Sequence, residues 1–413
     1  MAHNTAAESI GNEKKRTISS KTSMRTARLT RIQKFTGISG VVDLPFLIII
    51  LVLLVFGIVM MFSASYVWAL HDIDETGGDG AYYMKRQAIW AIGGLGLMAF
   101  LSGVDYHILK KKIIAIGLPI VSWIMLWLVF TPLGVTRNGA RRWLNLGFVQ
   151  FQPSELMKLG IIVLFSFLIA NNYKKMNKIS YGIIFFGILL VLALIPVILQ
   201  PHLSATILIC AIAFAMIFVG GAKFSHIALL ITIGVALISI VILSMVQSGD
   251  FTYITKRIDS WLDPFSDMLN STWQTCQSLI AIGSGGIFGL GLGNSRQKYL
   301  YLPETQNDFV FAIVCEELGF VGAMAVIILF VLFVFRGFYI ASKACDKFGM
   351  MLATGLTVQI GIQAFLNIAV VTNAVPNTGI SLPFFSYGGT ALLMQLAQMG
   401  IMLNISRQSL IEN

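Results

Sequence analysis

Asp308 stands where a polar segment passes directly into a long apolar stretch, within the sequence LPETQNDFVFA at residues 302–312. A carboxylate at the edge of a membrane loses part of its hydration, which raises its pKa. A carboxyl group of this kind suits a general base that removes a proton from a hydroxyl group. The alternative is that Asn307 or Asp308 caps the following helix by accepting hydrogen bonds from its first amides. From spacing alone, the cap is the better-supported interpretation.

Three arginines fall within six residues of one polar connection: Arg137, Arg141 and Arg142. A guanidinium group binds phosphate through a planar fork of donors, so this cluster could hold a diphosphate or another anion. The alternative is that the arginines and Trp143 anchor the connection at lipid headgroups. The position of the cluster on the outer side of the membrane, argued below, favours the anionic ligand.

Lys158 lies near the start of a further apolar stretch, in the sequence QPSELMK at residues 152–158. Ser154 is a suitable N-cap for this helix, and Glu155 is favoured by the helix dipole in the first turn. A lysine one turn further is costly in lipid, so it should face the helix bundle or a cavity. An i,i+3 pair with Glu155 and snorkelling to the surface are the structural alternatives.

Other reactive residue types give weaker signals. His202 precedes an apolar stretch, and a lone histidine at such a helix end is more often interfacial than catalytic. Glu316 lies about 12 Å along a helix from Asp308 and about 80° around it, too far for a hydrogen-bonded dyad, while Glu317 points away from Asp308. The four cysteines have no CxxC spacing, which argues against a zinc site or a disulfide framework.

Long apolar stretches must position these groups. The chain has 413 residues and is 56% hydrophobic and 12% charged, whereas soluble domains carry about 25% charged residues. The sequence therefore predicts an all-α polytopic membrane protein with about ten transmembrane helices. The predicted spans are 44–63, 87–101, 113–130, 155–170, 181–199, 203–220, 225–246, 309–335, 349–371 and 385–405.

The distribution of lysine and arginine predicts the orientation. Residues 1–40 form a basic segment that we expect to be a disordered cytoplasmic tail, and lysines recur in the even-numbered connections. Both termini are then cytoplasmic. The membrane domain covers 41–408, with a large extracellular loop at 246–308 between helices 7 and 8, and 409–413 form a cytoplasmic tail. Basic cytoplasmic loops explain the net charge of +10 better than nucleic-acid binding does.

The polar and Gly/Pro-rich segments all fall on the predicted outer side, at 131–153, 247–308 and 372–384. Irregular backbone at membrane depth is tolerated only inside protein or along a water-filled cavity. The sequence therefore predicts a cavity that opens to the outside.

Four motifs together resemble the SEDS family (shape, elongation, division and sporulation) of bacterial peptidoglycan glycosyltransferases. They are NGARRW at 138–143, QPSELMK at 152–158, LPETQNDFVFA at 302–312 and SLPFFSYGG at 381–389. The resemblance covers about residues 42–408, and the motifs occur in the family's order. The Arg-Arg-Trp form looks more like the division member or its sporulation relative than the elongation member.

The resemblance also implies roles for individual residues. It makes Asp308 the catalytic residue, and it makes the diphosphate-binding set Arg137, Arg141, Arg142 and Lys158. It implies supporting roles for Glu304, Glu316, Ser386, Tyr387 and Gly388. One departure stands out: the family usually reads QPDLGT where this chain reads QPHLSAT at 200–206. His202 thus replaces an acidic residue, which weakens any proposal that this position binds a cation or acts as an acid.

The activity implied is that of an inverting, lipid II-dependent glycosyltransferase. Such an enzyme polymerises lipid II, the undecaprenyl-diphosphate-linked disaccharide pentapeptide, at the outer face of the bacterial cytoplasmic membrane during septal wall synthesis. No cofactor is certain, and Mg²⁺ or Mn²⁺ is the candidate cation. The implied partners are a class B penicillin-binding protein transpeptidase, other divisome proteins and membrane lipid, with no nucleic acid. A lipid II flippase and a non-enzymatic division scaffold are the alternatives, although no inverted repeat supports a transporter.

Overall fold

The computed structural model describes residues 40–137, 140–145, 147, 149–200, 202–223, 225 and 252–409. Its helices are α1 (Leu44–His71), α2 (Ile73–Thr76), α3 (Tyr82–Ser102), α4 (Lys112–Leu128), α5 (Pro153–Asn172), α6 (Phe186–Leu199), α7 (Leu203–Val219), α8 (Thr252–Leu262), α9 (Trp273–Gly285), α10 (Val310–Lys343), α11 (Lys347–Val371) and α12 (Gly389–Gln408). Short 3₁₀ turns cover Tyr106–Lys110 and Tyr173–Lys175, and a π-helical turn, Ser180–Phe185, leads into α6.

The described helices form a polytopic membrane fold, as predicted. Five helical segments among the described residues are long and apolar enough to cross a bilayer: Leu44–His71, Pro153–Lys175, Ser180–Leu199, Val310–Lys343 and Lys347–Val371. Two shorter apolar helices, α4 and α7, accompany them. Helices occupy the predicted spans throughout the described residues. The seventh span lies outside these residues except for Ser225, as does the basic tail at 1–39, so the span count and the position of the termini stay predictions.

A small antiparallel sheet at the outer ends of α4 and α5 was not predicted. Its strands are β1 (Gly134–Arg137), β2 (Ala140–Asn145) and β3 (Gln150–Phe151), in the order β1-β2-β3. Leu144 pairs with Gly134 on one side and with Phe151 on the other. Because successive side chains on a strand point to opposite faces, the neighbours Arg141 and Arg142 are directed to different surroundings.

Two fully buried carboxylates join the outer segment to the helix bundle. Glu317 accepts hydrogen bonds from the Ser63 hydroxyl in α1 at 2.7 Å and from Lys298 Nζ at 3.0 Å. Glu316 accepts from the Ser295 hydroxyl and from the backbone amide of Arg296. Each charge therefore has hydrogen-bond donors around it, as a buried charge requires.

The polar loop after α9 also pairs with α10 through its backbone. The helix is interrupted at Gly319, which has a φ of 65°. Leu290 N and Gly291 N each donate to a carbonyl oxygen of the α10 segment before this kink, at 3.0 Å in both cases. Gly289 has a φ of 79°, and a Cβ at this position would lie 2.2 Å from the Glu317 carbonyl oxygen. Only glycine fits here without displacing backbone.

We expect Gly289→Ala to lower the thermal unfolding midpoint of the purified protein in detergent, because the added methyl group meets a carbonyl oxygen and strains the positive φ. Gly283→Ala is the matched control. It lies within α9, and a Cβ there has nothing within 4 Å. Alanine in a helix interior is favoured over glycine by about 1 kcal/mol, so the control should unfold at the same temperature or higher. Equal midpoints for the two variants would contradict this account of the loop.

Candidate active site

Asp308 lies in the turn directly before α10. Its amide donates to the Glu304 carbonyl oxygen at 3.2 Å, and its own carbonyl oxygen accepts from Asn367 Nδ2 at 2.8 Å. Phe309 occupies the N-cap position of α10, and no described side chain caps this helix. The helix-cap interpretation of Asn307 or Asp308 is therefore wrong. The backbone of Asp308 is fixed from two sides, and its carboxylate does not serve the helix end.

The surroundings of Asp308 make its carboxyl group a weaker acid. Burial raises its pKa to about 6, and the negative charge of Glu304 contributes to the same shift. The positive charges of Arg257 and Arg142 oppose it. The group is thus mostly ionised at pH 7 yet basic enough to accept a proton, which matches the requirement for a general base.

The segment at 377–381 passes directly beside Asp308. Gly379 has a φ of 71°, and a Cβ there would lie 3.2 Å from Asp308 Oδ2. This segment is held by Asn367, which donates to the Ile380 carbonyl oxygen at 2.6 Å, and by Arg257, which donates to the Asn377 carbonyl oxygen. Arg257 therefore links α8 of the outer segment to the surroundings of the carboxylate.

Lys158 and Arg142 bring positive charge to the neighbouring region. Lys158 is buried, with 3% of its surface exposed, and its Nζ lies 2.8 Å from Glu155 Oε1 and 3.4 Å from Gln363 Oε1. It faces the bundle, as expected, and it also makes the i,i+3 pair with Glu155 that was the structural alternative. The charge of Arg142 acts on both Asp308 and His202. The beginnings of α5, α7 and α10 therefore meet around a shared set of charges.

His202 packs inside the protein, which the interfacial interpretation did not anticipate. It is buried, and burial together with the charges of Arg142 and Lys158 lowers the pKa of its imidazole to about 3. Its Nε2 lies 3.5 Å from Gln152 Nε2. The imidazole is neutral at physiological pH, with one ring nitrogen as donor and the other as acceptor.

The SYGG motif after α11 holds the turn that carries Asp308. Tyr387 N donates to the Gln306 carbonyl oxygen at 2.8 Å. Gln87 of α3 bridges the same motif, since its Nε2 donates to the Ser386 carbonyl oxygen at 3.1 Å and its Oε1 accepts from Gly388 N at 3.3 Å. These residues position residues 304–308 through backbone contacts, without any catalytic part of their own.

The other predicted site residues are not placed beside Asp308 by any contact of the described side chains. Arg141 donates to the backbone carbonyl oxygens of Gly134, Phe130 and Thr131, at 3.2, 3.3 and 2.7 Å. Its donors thus fasten the sheet to the end of α4, and its assignment to a phosphate stays a prediction. The side chain of Arg137 lies outside the described residues. Ser154 was expected to cap α5, but the N-cap residue is Gln152.

Arg257 is a site residue that the sequence analysis missed. It lies in α8, in the long outer segment where lysine and arginine are unexpected. The same rule that singled out Arg137, Arg141 and Arg142 could have found it. Within the described residues, no group of three or more His, Cys, Asp or Glu side chains is arranged to hold a metal ion.

Comparison with known proteins adds a second line of evidence. The FtsW/RodA/SpoVE family profile, described as "Cell cycle protein", matches residues 44–410. The chain belongs to this family. It is 40% identical over 376 residues to "Stage V sporulation protein E" of Bacillus subtilis, covering 89% of this chain and 97% of that protein. It is 38% identical over 368 residues to "Probable peptidoglycan glycosyltransferase FtsW" of Geobacter sp. strain M18, covering 88% and 96%.

Solved structures of the FtsW/RodA/SpoVE family share the fold. A chain from "Structural coordination of polymerization and crosslinking by a peptidoglycan synthase complex" has a TM-score of 0.66 and 26% identity, covering 85% of this chain and 97% of that chain. The rod shape determining protein RodA of Thermus thermophilus has a TM-score of 0.61 and 25% identity, covering 90% of this chain and 98% of that chain. The predicted membership of the SEDS family is confirmed. This chain is an FtsW-like, multi-pass member of a peptidoglycan glycosyltransferase family.

We expect Asp308→Asn to raise the thermal unfolding midpoint at pH 8. The folded-state pKa of about 6 lies above the ordinary aspartate value of 3.8, so above pH 6 the ionised carboxylate destabilises the fold. The neutral amide removes this cost, and its advantage should shrink as the pH falls through 6 towards 4. The measurement is the midpoint in detergent at pH 8 and at pH 4.5.

Asp259→Asn is the control for this prediction, because Asp259 is an exposed carboxylate in the same outer segment. Its midpoint should follow the wild-type protein at both pH values. If Asp308→Asn is no more stable than the wild type at pH 8, the carboxylate is not desolvated as described.

Proposed function

We propose that this protein polymerises lipid II into glycan strands at the outer face of the cytoplasmic membrane, with Asp308 as general base. The observation that carries the proposal is the state of this carboxylate. It is buried enough to have a raised pKa, it does not cap a helix, and the charges of Arg142 and Arg257 act on it. The family membership gives the reaction class, and the geometry supplies a group suited to it.

In this mechanism Asp308 accepts the proton of the acceptor's N-acetylglucosamine 4-hydroxyl. The oxygen attacks the anomeric carbon of the donor's N-acetylmuramic acid, with inversion. The bond from that carbon to the diphosphate breaks, and undecaprenyl diphosphate leaves with the electron pair. Arg142, Arg257 and Lys158 supply positive charge for the leaving group. Because a diphosphate leaves without being protonated, one carboxylate is sufficient, unlike in glycoside hydrolysis.

A divalent cation is a possible addition to this scheme, with Mg²⁺ or Mn²⁺ as the candidates. Asp308 and Glu304 offer carboxylate oxygens of the kind these ions prefer. The described residues provide no third acidic or histidine ligand in a cluster with them. We therefore derive no step through a metal, and the three basic side chains carry the charge stabilisation.

We expect Asp308→Asn to reduce lipid II polymerisation by purified protein by a factor of about 10² to 10⁴, the usual contribution of a general base. Asp259→Asn should polymerise at the wild-type rate. If Asp308→Asn makes as much glycan product as the wild-type protein, Asp308 is not the general base. A flippase would instead move lipid II across vesicles without polymerising it, and a scaffold would support division with asparagine at this position.

We also expect the rate to fall as the pH decreases through about 6, because protonated Asp308 cannot act as a base. Glu304→Gln removes a negative charge that raises the pKa of Asp308. In this variant the fall of the polymerisation rate at acidic pH should therefore move to lower pH. The measurement is kcat/KM for lipid II between pH 5 and 8. The control is Glu75→Gln, because Glu75 is an exposed glutamate of the first predicted outer loop. This variant should lose activity at the same pH as the wild-type protein. An unchanged pH dependence in Glu304→Gln would contradict the electrostatic account.

The proposed partner is a class B penicillin-binding protein, which would crosslink the new strands at the septum. A structurally similar chain comes from a peptidoglycan synthase complex that coordinates polymerisation and crosslinking. The eighth and ninth predicted spans, α10 and α11, are the proposed docking region for its transmembrane helix. Exposed apolar side chains of α10, including Ile328, Val331 and Phe335, support this choice.

A further inference from the structure

Four buried polar atoms, on the first turns of α5 and α7 and on the segment beside Asp308, have no hydrogen-bond partner within the described part of the chain. They are Ser154 Oγ, Glu155 Oε2, His202 Nδ1 and Thr378 Oγ1. Buried polar atoms in proteins are nearly always satisfied, so each exception requires an explanation. Four exceptions in one region indicate that a partner from outside the protein completes them.

The contacts between their elements show that the four atoms belong to one region. His202 approaches the start of α5 through its 3.5 Å contact with Gln152, two residues before Ser154. Ser204, in the first turn of α7, donates to the carbonyl oxygens of Thr378 and Gly379. The start of α7 therefore bridges the start of α5 and the segment at 377–381. We call Ser154, Glu155, His202 and Thr378 the α5–α7 pocket.

The Thr378 side of the pocket adjoins the carboxylate of Asp308. Thr378 immediately precedes Gly379, whose Cβ position lies 3.2 Å from Asp308 Oδ2. The charge of Arg142 acts on His202 at one side and on Asp308 at the other. A molecule bound at Asp308 can therefore extend into the pocket.

The chemistry of the four atoms selects the class of ligand. Glu155 Oε2 is a carboxylate oxygen that only accepts, while the two hydroxyls and the neutral imidazole can both donate and accept. A phosphate only accepts hydrogen bonds and is repelled by a carboxylate, so it does not fit beside Glu155. Hydroxyl and acetamide groups fit, because their O–H and N–H groups can donate to Glu155 and their oxygen atoms can accept from His202 Nδ1, which carries the proton when Nε2 accepts from Gln152 Nε2.

We propose that the α5–α7 pocket recognises the hydroxyl and acetamide groups of a lipid-linked amino sugar, with Glu155 Oε2 disfavouring the diphosphate and His202 Nδ1 donating to a sugar oxygen. The inference rests on the proposed function and deepens it by dividing the cavity. The sugar lies against α5 and α7, and the diphosphate lies towards Arg257. Histidine in place of the family's usual acid keeps this position polar without adding a negative charge.

Two substitutions of His202 separate its ring nitrogens. Asparagine places a polar atom near the position of Nδ1, whereas glutamine places one near Nε2, which faces Gln152. We expect His202→Gln to bind lipid II about tenfold more weakly, the usual cost of one lost hydrogen bond in a buried site. We expect His202→Asn to restore most of the lost affinity.

The experiment measures binding in the Asp308→Asn background, so that its result does not depend on polymerisation. The probes are lipid II and undecaprenyl diphosphate, which shares the lipid and the diphosphate but has no sugar. The pocket is supported if His202→Gln lowers the affinity for lipid II alone and if His202→Asn binds lipid II nearly as tightly as the parent protein. It is overturned if His202→Gln binds both probes with the affinity of its parent, which is the result expected if only water occupies the pocket. It is also overturned if His202→Gln loses the same affinity for both probes.

A second measurement distinguishes sugar recognition from a general effect on folding. In the active background, His202→Gln should raise the KM for lipid II about tenfold while kcat changes by less than about threefold. Asp259→Asn is the control and should leave both constants unchanged. A fall in kcat alone, with KM unchanged, would place His202 in the chemical step and overturn its assignment to binding. If no variant polymerises while the binding pattern holds, the proposed function fails and the pocket stands.

Discussion

Buried charges in this membrane protein must find partners within the protein, and this requirement organises its outer half. Glu317 has Ser63 and Lys298 as partners, and Lys158 has Glu155. The contacts of Glu317 also connect α1 and the segment after α9 to α10, so the demand for electrostatic satisfaction helps to fix the packing there. Asp308 departs from this pattern, because burial and, secondly, the charge of Glu304 raise its pKa and no helix end uses its oxygens. The rigid pairs around it hold a carboxylate in a state that suits proton transfer.

The sequence predicted the parts of the structure that depend on local pattern. Apolar length located the helices, while the outer position of Arg142, Lys158 and Asp308, taken from the count of basic residues in the loops, stays a prediction. The sheet was missed because its strands are short and lie among glycines and arginines, where no alternation of apolar and polar residues is visible. The lowered pKa of His202 was missed because it depends on burial and on the charges of Arg142 and Lys158, which are distant in sequence.

Local sequence pattern also could not show which arginine lies near Asp308. Arg141 and Arg142 are adjacent in sequence, and both match the family's motif. Only the strand geometry shows that one fastens the sheet to the end of α4 while the charge of the other reaches Asp308. Arg257 was passed over for a related reason, since it comes to the site through α8 and not through a motif. Residue type and order predicted the chemistry of the site, and tertiary contacts decided which residues carry it.

The contact between Ser63 and Glu317 has a consequence for how the protein is made. The two residues are 254 positions apart, and a ribosome adds about 5–20 residues per second. The first helix is therefore in the bilayer for roughly 10 to 50 s before its partner has been synthesised, given that rate. During this interval the Ser63 hydroxyl must be satisfied by its own helix or by a chaperoning partner. The outer half of the protein can reach its final arrangement only late in biogenesis, after α10 has been inserted.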